Sequence, residues 1–168
     1  MPDAFPDPHW GSEQMSPLFG PAYRFASSRA GSRFIRLFVP LDRRVLAATK
    51  GRYTLFGPTT LPTLLLTTTG RTSGMARQSP LNYLRDGDRL LVLGSNFGQQ
   101  RHPGWSSNLL AHPDATVAIA GTEIPVTATL LDGGERERAL GLFLRYPMYR
   151  SYLSRTDRDL RLFALSRR

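Results

Sequence analysis

The amino-acid sequence predicts an α+β fold: a small, mostly antiparallel β-barrel with α-helices at its openings. Three observations carry that expectation. Strand-length apolar runs come in pairs joined by tight-turn residues, at Arg85-Asp86-Gly87-Asp88 and at Gly121-Thr122. Single helical patterns are inserted between these hairpins. A length of 168 residues, with 40% apolar and 21% charged content, describes one globular domain able to bury a core.

In chain order, residues 1–23 contain Pro2, Pro6, Pro8, Pro17 and Pro21 with little periodicity, and read as an irregular, poorly ordered arm. Residues 24–52 form a basic amphipathic helical segment, with Phe34, Leu37, Phe38 and Leu41, then Val45, Leu46 and Ala48, spaced for one face. Pro40 predicts two helical pieces, the second starting near Pro40 or Leu41 and closing on Gly51. Residues 53–168 then form the barrel domain. After a linker with Gly57, Pro58 and Pro62, residues 64–69 are apolar and β-branched, which suits a buried strand that Gly70 ends. Residues 76–94 read as a hairpin. The polar loop 95–100 follows, placed by antiparallel geometry at the same end as the Gly70–Gly74 turn.

Residues 102–113 read as a short helix, with Pro103 at its start and Trp105, Asn108 and Leu109 on one face. A second hairpin spans 115–120 and 124–131, in which Pro125 predicts an edge strand or a bulge. Asp132 with Glu135 three residues on looks like a capped helix start. That helix is broken at Pro147, and a further helical piece brings Tyr146, Tyr149 and Tyr152 within about 120° of one another. The last strand is expected at 160–165.

Charge is unevenly placed. The net charge is +9, and residues 24–52 hold eight of the 22 basic side chains against one acid, Asp42. Such a local excess calls for an acidic partner. Two readings stand for the basic helix: it lies on an anionic membrane surface, or it covers the sheet with its apolar face. Nucleic acid is disfavoured, since there is no aromatic RNA-binding signature, helix-turn-helix pattern or zinc-finger spacing. Without cysteine, disulfides, zinc thiolate sites and thiol catalysis are excluded. His9, His102 and His112 lack ligand spacing, so no metal is expected. His102, just before Pro103, is expected to serve the start of its helix rather than to act as an acid. No apolar run approaches the roughly 18 to 20 residues that cross a bilayer, and the acidic, proline-punctuated start is unlike a signal peptide. The expected location is therefore cytoplasmic, or peripheral at the inner face of the membrane.

The stretch LLLTTTGRTSGMAR is the chemical centre of the chain. Between Gly70 and Gly74 sit Arg71, Thr72 and Ser73, with Arg77 beyond. If the chain reverses there, hydroxyls, backbone N–H groups and two guanidiniums meet at one end of a sheet, where a phosphate or carboxylate can be held. The alternative is an ordinary turn with solvated arginines.

LLLTTTGRTSG with Arg77, the DGD hairpin, the SNFG loop, HPGWSSNLLAHP, the GERER helix, and YPMYRSY followed by Arg155-Thr156-Asp157-Arg158 together resemble the deazaflavin-dependent nitroreductase family. The match runs in order from about residue 64 to residue 158. The resemblance implies a split β-barrel of the FMN-binding type and the cofactor coenzyme F420, an 8-hydroxy-5-deazaflavin with a tail of phosphate and glutamates. FMN is the alternative cofactor. It also implies hydride transfer to a small-molecule acceptor, a quinone, nitroaromatic or enone-like compound.

By the same resemblance Arg71, Ser73 and Arg77, with Thr72 between them, hold the anionic tail, and Gln78, Ser79 and Leu81 run alongside the cofactor. Ser95, Asn96, Gly104, Trp105 and Asn108 enclose its rings. Tyr146, Tyr149 and Tyr152 wall the acceptor pocket, with Tyr149, Tyr152 and Ser95 as the catalytic candidates. Thr72 and Asn96 stand where the family often has a base, Gln99 where a second glycine is common, and Leu160-Arg161-Leu162 where Ile-Pro is usual. A protein that binds the deazaflavin without catalysis, or docks on membranes, is the other class considered, and a homodimer is left open.

Overall fold

A computed structural model describes residues 4–14, 18, 20–58 and 60–168. Among them, β1 (Thr63–Thr69), β2 (Ala76–Asp86), β3 (Arg89–Leu93), β4 (Asp114–Ile119), β5 (Thr122–Leu130) and β6 (Leu162–Arg167) close into a barrel. The order is β1-β2-β3-β6-β5-β4, and every neighbouring pair is antiparallel. The helices are α1 (Gly20–Ser27), α2 (Arg29–Ala48), α3 (Gly104–Ala111), α4 (Gly133–Phe143) and α5 (Pro147–Leu153). The expected barrel with peripheral helices is thus present.

Period-2 alternation decides what each strand buries. Leu64 and Leu66 of β1, Leu90 and Val92 of β3, Val117, Ile119, Ile124, Val126, Phe163 and Leu165 fill the interior. Leu91 and Leu93 point outward, yet they are covered by α4, α5 and the turn between them through Phe143, Tyr146, Tyr149 and Tyr152. Leu65 is buried outside as well, against Leu46 of α2 and Ala118. The unbroken apolar run of β1 therefore serves two cores rather than one.

Several expectations are corrected. The chain is helical from Gly20, and α2 runs unbroken through Pro40. The carbonyl that Pro40 leaves without a helical donor belongs to Arg36, which is exposed, so solvent is open to it as a replacement partner. The real break lies at Ser28, whose side chain caps α2 by accepting from Gly31 N at 2.9 Å. A Cβ on Gly31 would lie 1.8 Å from Phe25 O, so this corner requires glycine. Gly51 does close the helical segment, with its N–H donating to Leu46 O at 2.8 Å and φ at +74°.

Pro125 marks neither a free edge nor a bulge. The β4–β5 register is one-to-one, and β6 pairing begins only at Val126, so the missing N–H falls at the rim. Asp132 makes no side-chain cap to α4, and Glu135 reaches across to Arg89 at 2.7 Å instead. The last strand lies two residues later than expected, because pairing with β3 and β5 sets its register.

Residues 4–14 contain no helix or strand but pack on the barrel, in contrast to the loose arm expected. Phe5 is buried in the interior core. Arg85 donates to Phe5 O and Pro6 O, its N–H donates to Glu13 Oε1, and Arg167 donates to Ala4 O. Residues 1–3, 15–17 and 19 of the same expected arm lie outside the described residues.

Candidate functional site

The β1–β2 turn is a rigid platform. Gly74 N donates to Gly70 O at 2.7 Å, and Ser73 Oγ accepts from Met75 N at 3.3 Å. Asn108 of α3, buried, clamps the turn from behind: its Oδ1 accepts from Arg71 N at 3.1 Å and its Nδ2 donates to Thr68 Oγ1 at 3.0 Å. The backbone of Arg71 is fixed while its side chain is exposed. Arg71, Thr72, Ser73, Arg77 and Asn108 line a hollow of about 450 Å³, and Arg43 of α2 lines it too. Among the described residues, no carboxylate lines this hollow.

This hollow joins a larger cavity of about 800 Å³ through shared residues Arg43, Gln78, Ser79, Gly104 and Trp105. Leu81 of β2, Ser95 and Asn96 of the loop after β3, and Tyr146, Tyr149 and Tyr152 line the larger one. Phe25, Phe34, Ile35, Val39 and Pro40 of α1 and α2 form its other wall. Every residue named from the sequence thus borders one of two connected spaces. Trp105 has a double role, since its ring is also packed into the barrel core 5.8 Å from Phe163. Asn108 faces the smaller, cationic hollow with both polar atoms engaged, rather than the larger cavity.

The loop from Gly94 to His102 is organised by Arg158. Its guanidinium donates to Gln99 O at 2.9 Å, Gly94 O at 2.9 Å and Ser95 O at 2.8 Å. It also donates to His102 Nδ1 at 3.2 Å. Asn96 and Phe97 accept left-handed backbone within this loop, at φ 46° and 55°. Burial, then Arg161 and Arg158, hold the His102 imidazole below its ordinary pKa. With Nδ1 accepting, the proton of the neutral ring sits on Nε2. His102 lines the larger cavity.

The three tyrosines meet edge to face, with ring centroids 6.4 Å apart for Tyr146–Tyr149 and 6.0 Å for Tyr149–Tyr152. Tyr146 donates its hydroxyl proton to Glu13 O at 2.7 Å, so that hydrogen is committed. Tyr152 stacks edge to face on Phe97, with ring centroids 5.8 Å apart. Tyr149 and Asn82 both line the larger cavity. Thr63 Oγ1 donates to Asn82 Oδ1 at 3.0 Å, which fixes that amide in the cavity wall. Burial raises the pKa of all three phenols above the ordinary value.

An exposed cationic hollow opening into an aromatic, mostly apolar cavity suits a ligand with an anionic tail and a flat ring system. The family model described as F420H(2)-dependent quinone reductase matches residues 35–166. The chain belongs to this family. It is 32% identical over 149 residues to an F420H(2)-dependent quinone reductase of Mycobacterium tuberculosis, covering 86% of this chain and 97% of that one. The same identity and coverage hold for a protein of Mycobacterium bovis described as a putative F420H(2)-dependent quinone reductase. Among solved structures, an F420H2-dependent reductase is 34% identical with a TM-score of 0.57, over 62% of this chain and 94% of that one. Another, described as a domain-swapped dimer, is 31% identical with a TM-score of 0.60, over 80% and 98%. The F420H2-dependent quinone reductase family is therefore matched along most of the chain, including most of α2, which the residue-by-residue resemblance left out.

Sequence reasoning missed the helical wall, Arg158 and His102 as parts of the site. The basic run of α2 was visible, but nothing local distinguishes Arg43 from the neighbouring arginines.

Proposed function

We infer that this protein is an F420H2-dependent oxidoreductase that reduces a quinone, nitroaromatic or enone-like acceptor. The observation that carries the reading is the continuity of the two spaces, with Arg71 and Arg77 at one end, tyrosines at the other, and Gln78, Ser79, Gly104 and Trp105 between. When bound, reduced F420 supplies a hydride from its central ring carbon. Arg71, Ser73 and Arg77 hold the anionic tail, assisted by Thr72. Gln78, Ser79, Leu81, Gly104 and Trp105 flank the rings, and Asn108 acts by holding the turn. Ser95 and Asn96 form the lip of the cavity under the control of Arg158. Tyr149 donates its proton as a hydrogen bond to the acceptor oxygen as charge develops there, with Tyr152 and Ser95 beside it. With burial raising its pKa, Tyr149 is a donor and not a resting base. Tyr146 shapes the wall, its hydroxyl being held by Glu13.

Mixing purified protein with oxidised F420 while following absorbance and fluorescence tests the assignment. A spectral change at tens of micromolar is expected, and none would remove it. A flavin spectrum in protein as isolated would instead favour FMN. Tight binding without reduction of any quinone or nitro compound would favour the non-catalytic binder. Tyr149→Phe should lower kcat about 10²-fold while leaving cofactor affinity within about two-fold. An unchanged rate would strike Tyr149 from the catalytic set.

A second reading concerns place. Phe25, Phe34, Leu37 and Leu41 of α1 and α2 are exposed, Leu37 at 74%, and arginines flank them. No helix among the described residues is long and apolar enough to cross a membrane. An apolar stripe edged with cations fits the cytoplasmic surface of an anionic membrane, while a second copy of the chain is the other candidate to cover it. Flotation with anionic liposomes at low salt supports membrane docking. Failure to float, with a dimer in solution, assigns the stripe to the second copy.

A further inference from the structure

We propose that Arg43 on α2 is the third cation of the anion hollow, and that a bound anionic tail bridges this helix to the barrel. The proposal rests on the F420 reading and adds a residue to it. Arg71 and Arg77 come from the β1–β2 turn and from β2, whereas Arg43 is the one lining residue that α2 contributes to the hollow. Arg29, Arg33, Arg36 and Arg44 line neither space.

Arg43 is exposed, and among the described residues no ion pair holds Arg43, Arg71 or Arg77. The adjacent carboxylate, Asp42, is turned away to Thr54 and Leu55. Three guanidiniums around one hollow, with no carboxylate of the described residues lining it, repel one another, and the arrangement becomes favourable when a multivalent anion lies among them.

A consequence concerns the order of events. The helix that carries Arg43 also supplies Phe34, Ile35, Val39 and Pro40 to the larger cavity. An anion held by Arg43 and by Arg71 or Arg77 draws that wall toward the barrel, so cofactor binding completes the space that receives the acceptor.

The test uses the full chain as wild type, as Arg43→Gln, and as Arg44→Gln for a neighbouring charge control. Intact F420 and its chromophore lacking phosphate and glutamates are each titrated by fluorescence at low and high salt. Inorganic pyrophosphate is followed separately by thermal shift. Arg43→Gln should weaken intact F420 about five-fold at low salt and less at high salt, leave the tail-less chromophore within about two-fold, and reduce the pyrophosphate shift. Arg44→Gln should match wild type. Equal weakening of both chromophore forms, or the same pyrophosphate response in wild type and Arg43→Gln, overturns the proposal. A pyrophosphate response that depends on Arg43 in a protein blind to intact F420 would leave the proposal standing and remove the F420 reading instead.

Discussion

On the barrel side of the cavity, backbone is held by buried or half-buried side chains with several bonds each: Asn108 under the β1–β2 turn, Arg158 under the loop after β3. On the helical side, α2 meets the barrel at few points and leaves much of its apolar face uncovered. Among the described residues its attachments include Leu46, Asp42 with Thr54 and Leu55, and Arg155 of the segment after α5. The difference implies a division of labour. The firmly held wall suits a ligand of fixed shape, and the lightly attached wall, apart from the contact proposed for Arg43, suits an acceptor that varies.

The comparison breaks most visibly at Arg158. Arg158→Met removes donors from three backbone carbonyls and from His102. A loss of about 2 to 4 kcal/mol in unfolding free energy is expected, with F420 affinity down by more than about ten-fold as the loop carrying Ser95 and Asn96 loosens. Chemical denaturation and fluorescence titration read the two effects. A stable variant that binds the cofactor normally would show that the loop keeps its shape without the guanidinium.

Arg155→Met is the counterpart on the helical side. Arg155 donates to Ser27 O, Ser32 Oγ and Ser151 Oγ, which latches the α1–α2 corner to α5. Its guanidinium also lies 5.5 Å from the Tyr152 ring centroid. The variant should keep the barrel's unfolding midpoint within a few degrees while proteolysis within 20–50 accelerates. KM for the acceptor should rise about three- to ten-fold, and F420 affinity should fall less than in Arg158→Met. Equal damage to cofactor binding in the two variants would erase the distinction between the walls.

These two residues also show where the sequence stopped being informative. β1 to β3 and the glycine-bounded turn were legible because alternation, Asp-Gly and Gly70–Gly74 are local signals. Arg158 acts on Gly94 over 64 positions and Arg155 on Ser32 over 123, and no periodicity marks such partners. Pro40 misled because a proline is judged from sequence as if its carbonyl partner were buried, whereas Arg36 is in solvent. The ends of β6 were blurred for a different reason: Leu160, Leu162, Phe163, Ala164 and Leu165 are all buried, so burial alone marks no boundary.

The smallest effect is expected at Asp42, and it tests how α2 is held. This carboxylate is 2% exposed; it accepts from Thr54 Oγ1 at 2.8 Å and Leu55 N at 2.7 Å. Burial raises its pKa above the ordinary carboxylate value, against the lowering pull of those two bonds. A raised pKa means that the folded chain holds this proton more tightly than the unfolded one. Its contribution is therefore fully present below the unfolded carboxylate pKa and is lost as pH rises through the folded value. Asp42→Asn keeps the Oδ1 acceptor and removes the charge. Loss of charge assistance and relief of desolvation are each on the order of 1 kcal/mol and oppose each other, so at pH 7 the melting temperature should stay within about 2 to 4 °C of wild type or rise. As pH falls toward about 4, wild type should gain on Asp42→Asn, because its carboxyl becomes neutral there too. A variant that melts far lower at pH 7 would mean that the charged form, rather than the hydrogen-bonded shape, anchors α2.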